Sequence, residues 1–183
     1  MTDFVQQYPQ GVILALDQMS LYFQATLTRV WSPIGQTPIV RVSPQRDQVH
    51  FYGALEVRQG REFAMPAAEE TSTVTASFLI LLLLLFPTQP ILLLLDRASW
   101  HFGPDIDQLL AENDRLQLMY FPPACPQLNP QEHIWEQARD AIGHNHTFAH
   151  FDTLIDAFDT YLNETPFDIC FMEKYAPSIL CEV

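Results

Sequence analysis

Two apolar runs, residues 78–86 and 91–95, are separated only by Pro87-Thr88-Gln89-Pro90, and they constrain this chain more than any other feature. Neither run reaches the roughly 20 residues a membrane span requires. Two prolines also deny one continuous helix its hydrogen bonds. The pattern favours a buried helix, a proline turn and a fully buried strand over a membrane segment. A third apolar run, residues 12–16, reads as another buried strand and is followed directly by Asp17. A chain of 183 residues fits one domain with a sizeable core.

The remaining elements follow from period and punctuation. Residues 37–42 and 49–57 read as strands, which with 12–16 make an antiparallel meander. Residues 73–86 read as helix, 91–95 as strand, 104–113 as helix and 116–121 as strand. Asn129-Pro130 opens a helix reaching about Ile142, with Asn as cap and Pro at the first helical position. Phe148, Phe151, Leu154, Ile155, Phe158, Tyr161 and Leu162 have helical spacing and predict a last amphipathic helix. The order implies an α/β fold, a mixed sheet flanked by helices. Residues 1–10 are expected to be an N-terminal extension, 11–163 the domain and 164–183 a C-terminal tail.

Charge narrows the function. Lys and Arg total 9 against 22 Asp and Glu, a net charge of -13. Such a balance argues against a chain that binds nucleic acid by itself, since phosphate neutralisation normally needs surplus basic side chains. Up to Met65 five arginines balance five acids; the rest holds four bases and 17 acids. Cys125, Cys170 and Cys181 lack C-x-x-C spacing, which weighs against a disulfide framework or a cysteine-built zinc site and suggests a reducing cytoplasm. No export signal is visible. His144 and His146 read as an exposed pair rather than a metal site.

Asp17 and Asp96 each follow one of the most apolar strands. A carboxylate ending a buried strand is often just its first solvated residue, but such strand ends are also where open sheets collect ligands. Glu132 lies in the first turn of the helix opened by Asn129, with 35 residues between it and Asp96. On local pattern it can be half of a capping box with Asn129, or a third functional acid. Three acids from separate elements suit Mg²⁺ or Mn²⁺, which take oxygen ligands. Two such ions about 3.5–4 Å apart serve phosphoryl transfer. No G-x-x-x-x-G-K-[ST], G-x-G-x-x-G or G-x-S-x-G motif offers a rival chemistry.

Leu16-Asp17, Arg29-Val30-Trp31-Ser32-Pro33-Ile34-Gly35-Gln36-Thr37-Pro38, Leu95-Asp96-Arg97-Ala98-Ser99-Trp100-His101 and Phe121-Pro122-Pro123 through Leu128-Asn129-Pro130-Gln131-Glu132-His133-Ile134-Trp135 occur in that order. Together they resemble the catalytic domain of DDE transposases of the mariner superfamily, in the bacterial insertion-sequence six-thirty branch. The resemblance covers residues 12–162, and P-P-x-x-P-x-L-N-P-x-E-x-x-W is its most specific piece. It implies a ribonuclease-H-like fold with a five-stranded mixed sheet and adjacent first and fourth strands. Asp17, Asp96 and Glu132 would then be the catalytic and metal-binding acids, holding Mg²⁺ or Mn²⁺, two ions. His101 matches a recurring family position; it and Asn129 are the candidates for supporting the site, with a structural histidine as the alternative.

Several positions depart from the family pattern. Gln18 stands where an acid is common, Arg97 where Asn is common, Ala124-Cys125 where Tyr-Ser is usual and Gln131 where Ile is common. None of these removes one of the three acids. The resemblance implies metal-dependent DNA cleavage and strand transfer, with DNA as partner, a homodimer on DNA, and no membrane. Family members carry helix-turn-helix modules before the catalytic domain, and here these are expected to be separate or missing. Arg29, Arg41, Arg46, Arg58 and Arg61 are the candidate phosphate contacts, or simply surface arginines. The rival is a non-catalytic remnant that keeps the fold and associates with full-length transposase.

Overall fold

A computed structural model describes residues 1–24, 32–36, 47–123, 125, 128–144 and 148–169. Its elements are α1 (Thr2–Gln7), β1 (Val12–Tyr22), β2 (Gln48–Glu56), β3 (Arg61–Ala67), α2 (Ser72–Leu85), β4 (Ile91–Leu95), α3 (Pro104–Glu112), β5 (Leu116–Tyr120), α4 (Gln131–Ala138) and α5 (Phe151–Glu164). The strands form one sheet in the order β3-β2-β1-β4-β5. β1, β2 and β3 pair antiparallel, while β4 pairs parallel with both β1 and β5. This is the mixed five-stranded sheet flanked by helices that the sequence predicts.

The two long apolar runs fold as anticipated. Thr71 caps α2 by accepting from the Val74 amide at 3.3 Å. The helix ends at Leu85, capped by Phe86 just before Pro87, and the Arg115 guanidinium donates to the Leu83 and Phe86 carbonyls. A cation there also complements the negative end of the helix dipole. All five residues of β4 are buried, each worth roughly 1.5–3 kcal/mol over exposure. Leu14, Leu16, Leu93 and Leu95 face Phe78, Leu82 and Ile106 of α2 and α3. On the opposite face Met19, Phe51 and Leu55 meet Trp135 of α4 and Phe158 of α5.

Two departures from the sequence reading have physical causes. β1 does not stop at Leu16 but continues to Tyr22, because antiparallel pairing with β2 holds it from Leu14↔Glu56 to Tyr22↔Gln48. The third meander strand is β3, which the sequence reading does not anticipate. Glu62 and Pro66 disguise it, yet Glu62 is buried, and Pro66 is tolerated because β3 is a sheet edge. The strand expected at 37–42 lies outside the described residues. Residues 1–10, set apart as an extension, include α1, whose Phe4 packs with Ile13, Ala15 and Leu92. Within the tail, Phe167 is buried and its amide donates to the Gly60 carbonyl.

Gly53 of β2 sits where no side chain fits. A Cβ there would lie 2.5 Å from Gln131 Nε2 and from Glu62 Oε1, and would also strike the Trp135 ring. Gly53→Ala should therefore destabilise the fold by about 1–3 kcal/mol. Chemical denaturation monitored by circular dichroism measures this; an unchanged midpoint would contradict the packing described.

Candidate active site

The parallel register of β1 and β4 runs from Val12↔Ile91 to Ala15↔Leu94. Continued by two residues, it sets Asp17 opposite Asp96. Alternation along each strand then turns both carboxylates to the face that carries α4, away from the leucines packed under α2. β4 ends at Leu95 while β1 continues beside β2, with Asp17 opposite Gly53. The strands part at this point, and a crevice opens there. Asp17, Asp96 and Glu132 line one cleft of about 400 Å³, together with Arg97, Phe121, Pro122 and Asn129. All three sequence-nominated acids are thus brought together, although Asp17 lies within its strand rather than at its end.

Asp17 is strongly perturbed. Burial pushes its pKa up to about 7, and the nearby Glu132 carboxylate adds to the rise, with Asp96 a smaller contributor. The Gln18 amide and the Trp135 indole oppose it; Trp135 Nε1 donates to Asp17 Oδ2 at 3.2 Å.

Asp96 is exposed but oriented from behind. Its Oδ1 accepts from the Ala98 amide at 2.9 Å and lies 2.8 Å from His101 Nδ1. His101 is only 1% exposed, and burial lowers its pKa below the ordinary histidine value. A neutral imidazole has one proton, and the acceptor-only carboxylate requires it on Nδ1. Nε2 is then an acceptor, facing Gln18 Nε2 at 2.9 Å; the Gln18 oxygen, 3.1 Å from the same nitrogen, accepts from Trp100 Nε1 at 2.9 Å. A chain of donors therefore runs from Trp100 through Gln18 and His101 to Asp96. Gln18, a departure from the family pattern, is a link in this chain. Neither Gln18 nor Trp100 was nominated from the sequence, since nothing local shows that they meet His101.

Glu132 is exposed on the first turn of α4, with its carboxyl in the cleft. The helix begins at Gln131, one residue later than expected. Asn129 Oδ1 accepts from the Gln131 amide at 3.2 Å, while its Nδ2 donates to the Leu16 carbonyl at 3.3 Å. This Asx turn ties the helix start to β1 immediately before Asp17. It takes the place of the anticipated capping box, in which the amide bonded would be that of Glu132.

Among the described residues no three His, Cys, Asp or Glu side chains stand close enough to hold an ion together. Asp17, Asp96 and Glu132 line one cleft without forming such a group. Their chemistry nonetheless fits a hard divalent cation, since the donors are carboxylate oxygens and two of the carboxylates are oriented from behind by protein donors. Arg29, Arg41 and Arg46 lie outside the described residues. Arg58 donates to the Pro9 and Gly11 carbonyls, and the Arg61 guanidinium rests 4.8 Å from the Phe63 ring centroid. Neither lines the cleft: the Glu56↔Arg61 pair lies three positions along the ladder from Gly53, the partner of Asp17, toward the start of β1. Arg97 does line it, with its guanidinium 5.3 Å from the centroid of the Tyr120 ring.

Comparison with known proteins places this geometry in a family. The family model of the DDE superfamily endonucleases matches residues 2–155. An uncharacterized protein y4pE/y4sA of Sinorhizobium fredii is 38% identical over 63 residues, covering 34% of this chain and 44% of that protein. The insertion element IS630 uncharacterized 39 kDa protein of Shigella sonnei is 24% identical over 131 residues, covering 71% of this chain and 38% of that protein. The chain thus spans less than half the length of these curated relatives. The Mos1 transposase paired-end complex with left transposon end has the same fold, with TM-score 0.70 and 13% identity over 98% of this chain and 55% of that one. Mos1 paired-end complexes with Mg and with Mn are similar too, at TM-scores 0.67 and 0.64, with 15% and 14% identity over 92% of this chain and 53% and 52% of those. The resemblance to mariner-superfamily transposases and their insertion-sequence branch stands, and the chain belongs to the DDE superfamily endonucleases.

Proposed function

We propose that this chain is the catalytic domain of a transposase, cutting DNA at element ends and joining it to target DNA with divalent metal. The observation that carries this reading is the convergence of Asp17, Asp96 and Glu132, from β1, β4 and α4, on one cleft where burial and like charge raise the Asp17 pKa to about 7. Family membership and the insertion-element relative support it.

In this proposal Asp17, Asp96 and Glu132 hold Mg²⁺ or Mn²⁺, two ions. Such cations supply acidification of the attacking oxygen and neutralisation of charge at the scissile phosphate. Water attacks the phosphorus, the P–O3′ bond breaks, and the departing oxygen takes a proton to become a 3′-hydroxyl. That hydroxyl then attacks a target phosphodiester: a new P–O3′ bond forms, the target P–O3′ bond breaks, and the proton lost by the attacking hydroxyl is balanced by one taken up on the departing target oxygen. His101, fixed by Gln18, holds Asp96, and Trp135 holds Asp17, so neither carboxylate needs reorienting during the reaction. Arg97 at the cleft is placed to neutralise a DNA phosphate. Recognition of element ends belongs to helix-turn-helix modules outside this domain, and assembly on DNA is as a homodimer. With a net charge of -13, the chain's own binding to duplex should be weak, non-specific, metal-dependent and steeply salt-sensitive.

Plasmid nicking in Mn²⁺ tests the reaction. The chain should nick, while Asp17→Asn, Asp96→Asn and Glu132→Gln should fall to background without loss of folded structure by circular dichroism. Wild-type activity in any one of these three variants would end the assignment.

Stability against pH tests the electrostatics. The raised folded pKa of Asp17 means the native state binds more protons than the unfolded chain between its ordinary value of 3.8 and about 7. Metal-free stability from this group is therefore fully present below that window and is lost as pH rises through about 7. Asp17→Asn should flatten this part of the melting-temperature profile. Mn²⁺ should raise the melting temperature most above that pH, where the proton no longer competes, and Asp96→Asn should abolish the rise. An identical Mn²⁺ response in both proteins would exclude the site.

A further inference from the structure

Behind the cleft, on the α4 face of the sheet, Glu62 of β3 and Gln131 of α4 are 1% and 0% exposed. Gln131 Nε2 donates to Glu62 Oε1 at 2.7 Å. The remaining oxygen of each head group, Glu62 Oε2 and Gln131 Oε1, is buried without a hydrogen-bond partner. An ionised carboxylate cannot resolve this, because both orphaned atoms would then be acceptors only. A single proton can. Carried on Glu62 Oε2 and directed at Gln131 Oε1, it would close a ring with the bond already present.

The surroundings agree. An unpaired buried acceptor costs about 1–3 kcal/mol, so one proton that pairs two of them is strongly favoured. Among the described residues no basic side chain forms an ion pair with Glu62, and Asp17 of β1 is the charged group acting on it. Burial pushes the Glu62 carboxyl well above the usual range, against the Gln131 and Ala54 hydrogen bonds, and Asp17 adds to the rise.

The pair also sits at a decisive place. Gln131 is the first residue of α4 and directly precedes Glu132. Gly53 of β2 leaves the space through which Gln131 reaches Glu62 on β3. Asn129, two residues earlier, is tied to the Leu16 carbonyl of β1. The start of α4 is thus fastened at two points, one on each side of β2.

We propose that Glu62 is a neutral carboxylic acid in a two-bond ring with Gln131, and that this ring is a positioning device setting where Glu132 stands relative to Asp17 and Asp96. The positioning half rests on the proposed metal site; the neutral ring does not.

The experiment uses the full chain, with infrared difference spectroscopy and Mn²⁺ binding followed by electron paramagnetic resonance. At neutral pH a protonated-carboxyl C=O band that persists in Asp17→Asn should be present, and Glu62→Gln in that same background should remove it; a spectrum without that loss overturns the neutral acid. Glu62→Leu/Gln131→Leu removes both orphaned oxygens together and should stay folded, its melting temperature lowered by no more than the loss of the bond from the Ala54 amide. Its Mn²⁺ affinity should nevertheless fall on the order of 10–100-fold, as when other supports of metal ligands are removed. Glu62→Gln can rebuild the ring, its amide N–H replacing the acid O–H, and should restore that affinity. Wild-type affinity in a folded double variant, or loss of affinity in folded Glu62→Gln, overturns the positioning role, and the second result stands even if the double variant fails to fold. A wild-type chain that binds no Mn²⁺ overturns the metal site and the positioning role with it, while the infrared band still decides the ring.

Discussion

The parallel pairing of β1 with β4 is the constraint on which the rest of the structure depends. Residues 12–16 and 91–95 are buried nearly throughout, so a slip of one residue would turn every leucine to the wrong face. The register that satisfies burial is also the one that sets Asp17 opposite Asp96. Hydrophobic packing, which acts on the leucines, thereby places two carboxylates that contribute nothing to it. The carboxylates carry an electrostatic cost, visible in the raised Asp17 pKa, and the core supplies the stability to hold them.

Around that pair, polar groups within the protein do the orienting. Trp135 reaches Asp17 from α4, and His101 reaches Asp96 from the turn after β4. Each support is itself supported: Trp135 is packed in the core under α5, and His101 is held by Gln18, which is held by Trp100. Buried hydrogen-bond networks of this kind specify geometry because any partial arrangement leaves an unsatisfied atom. The acidity of the chain fits the same picture. In the proposed function an acidic cleft would repel a DNA phosphate unless cations intervened, and Arg97, which lines the cleft with Asp96, would supply a positive charge there.

Much of this was legible from local pattern. Apolar runs bounded by Pro and Asp define α2, β1 and β4, because burial on all sides and the geometry of proline are properties of a short window. Asp17 and Asp96 stand out for the same reason. Glu132 was ambiguous by pattern alone, since a capping box and a ligand need the same residue at the same place. β3 was missed because a buried glutamate and a proline look like surface and turn until the edge position and the Gln131 partner are known. Arg58 and Arg61 could be singled out as basic but not located, and neither lines the cleft.

The sequence by itself determined which segments must be buried, where they break, and which acids follow them. Only the tertiary structure decided which distant residues meet. Gln18 finds His101 across 83 positions, Asn129 finds the Leu16 carbonyl across 113, and Gln131 finds Glu62 across 69. These contacts depend on strand register and on where α4 lands across the sheet, both set by the packing of the whole core. A polar side chain carries no local mark of its partner, and so the fate of Glu62, Gln18 and Trp100 was settled only once the leucines had chosen their faces.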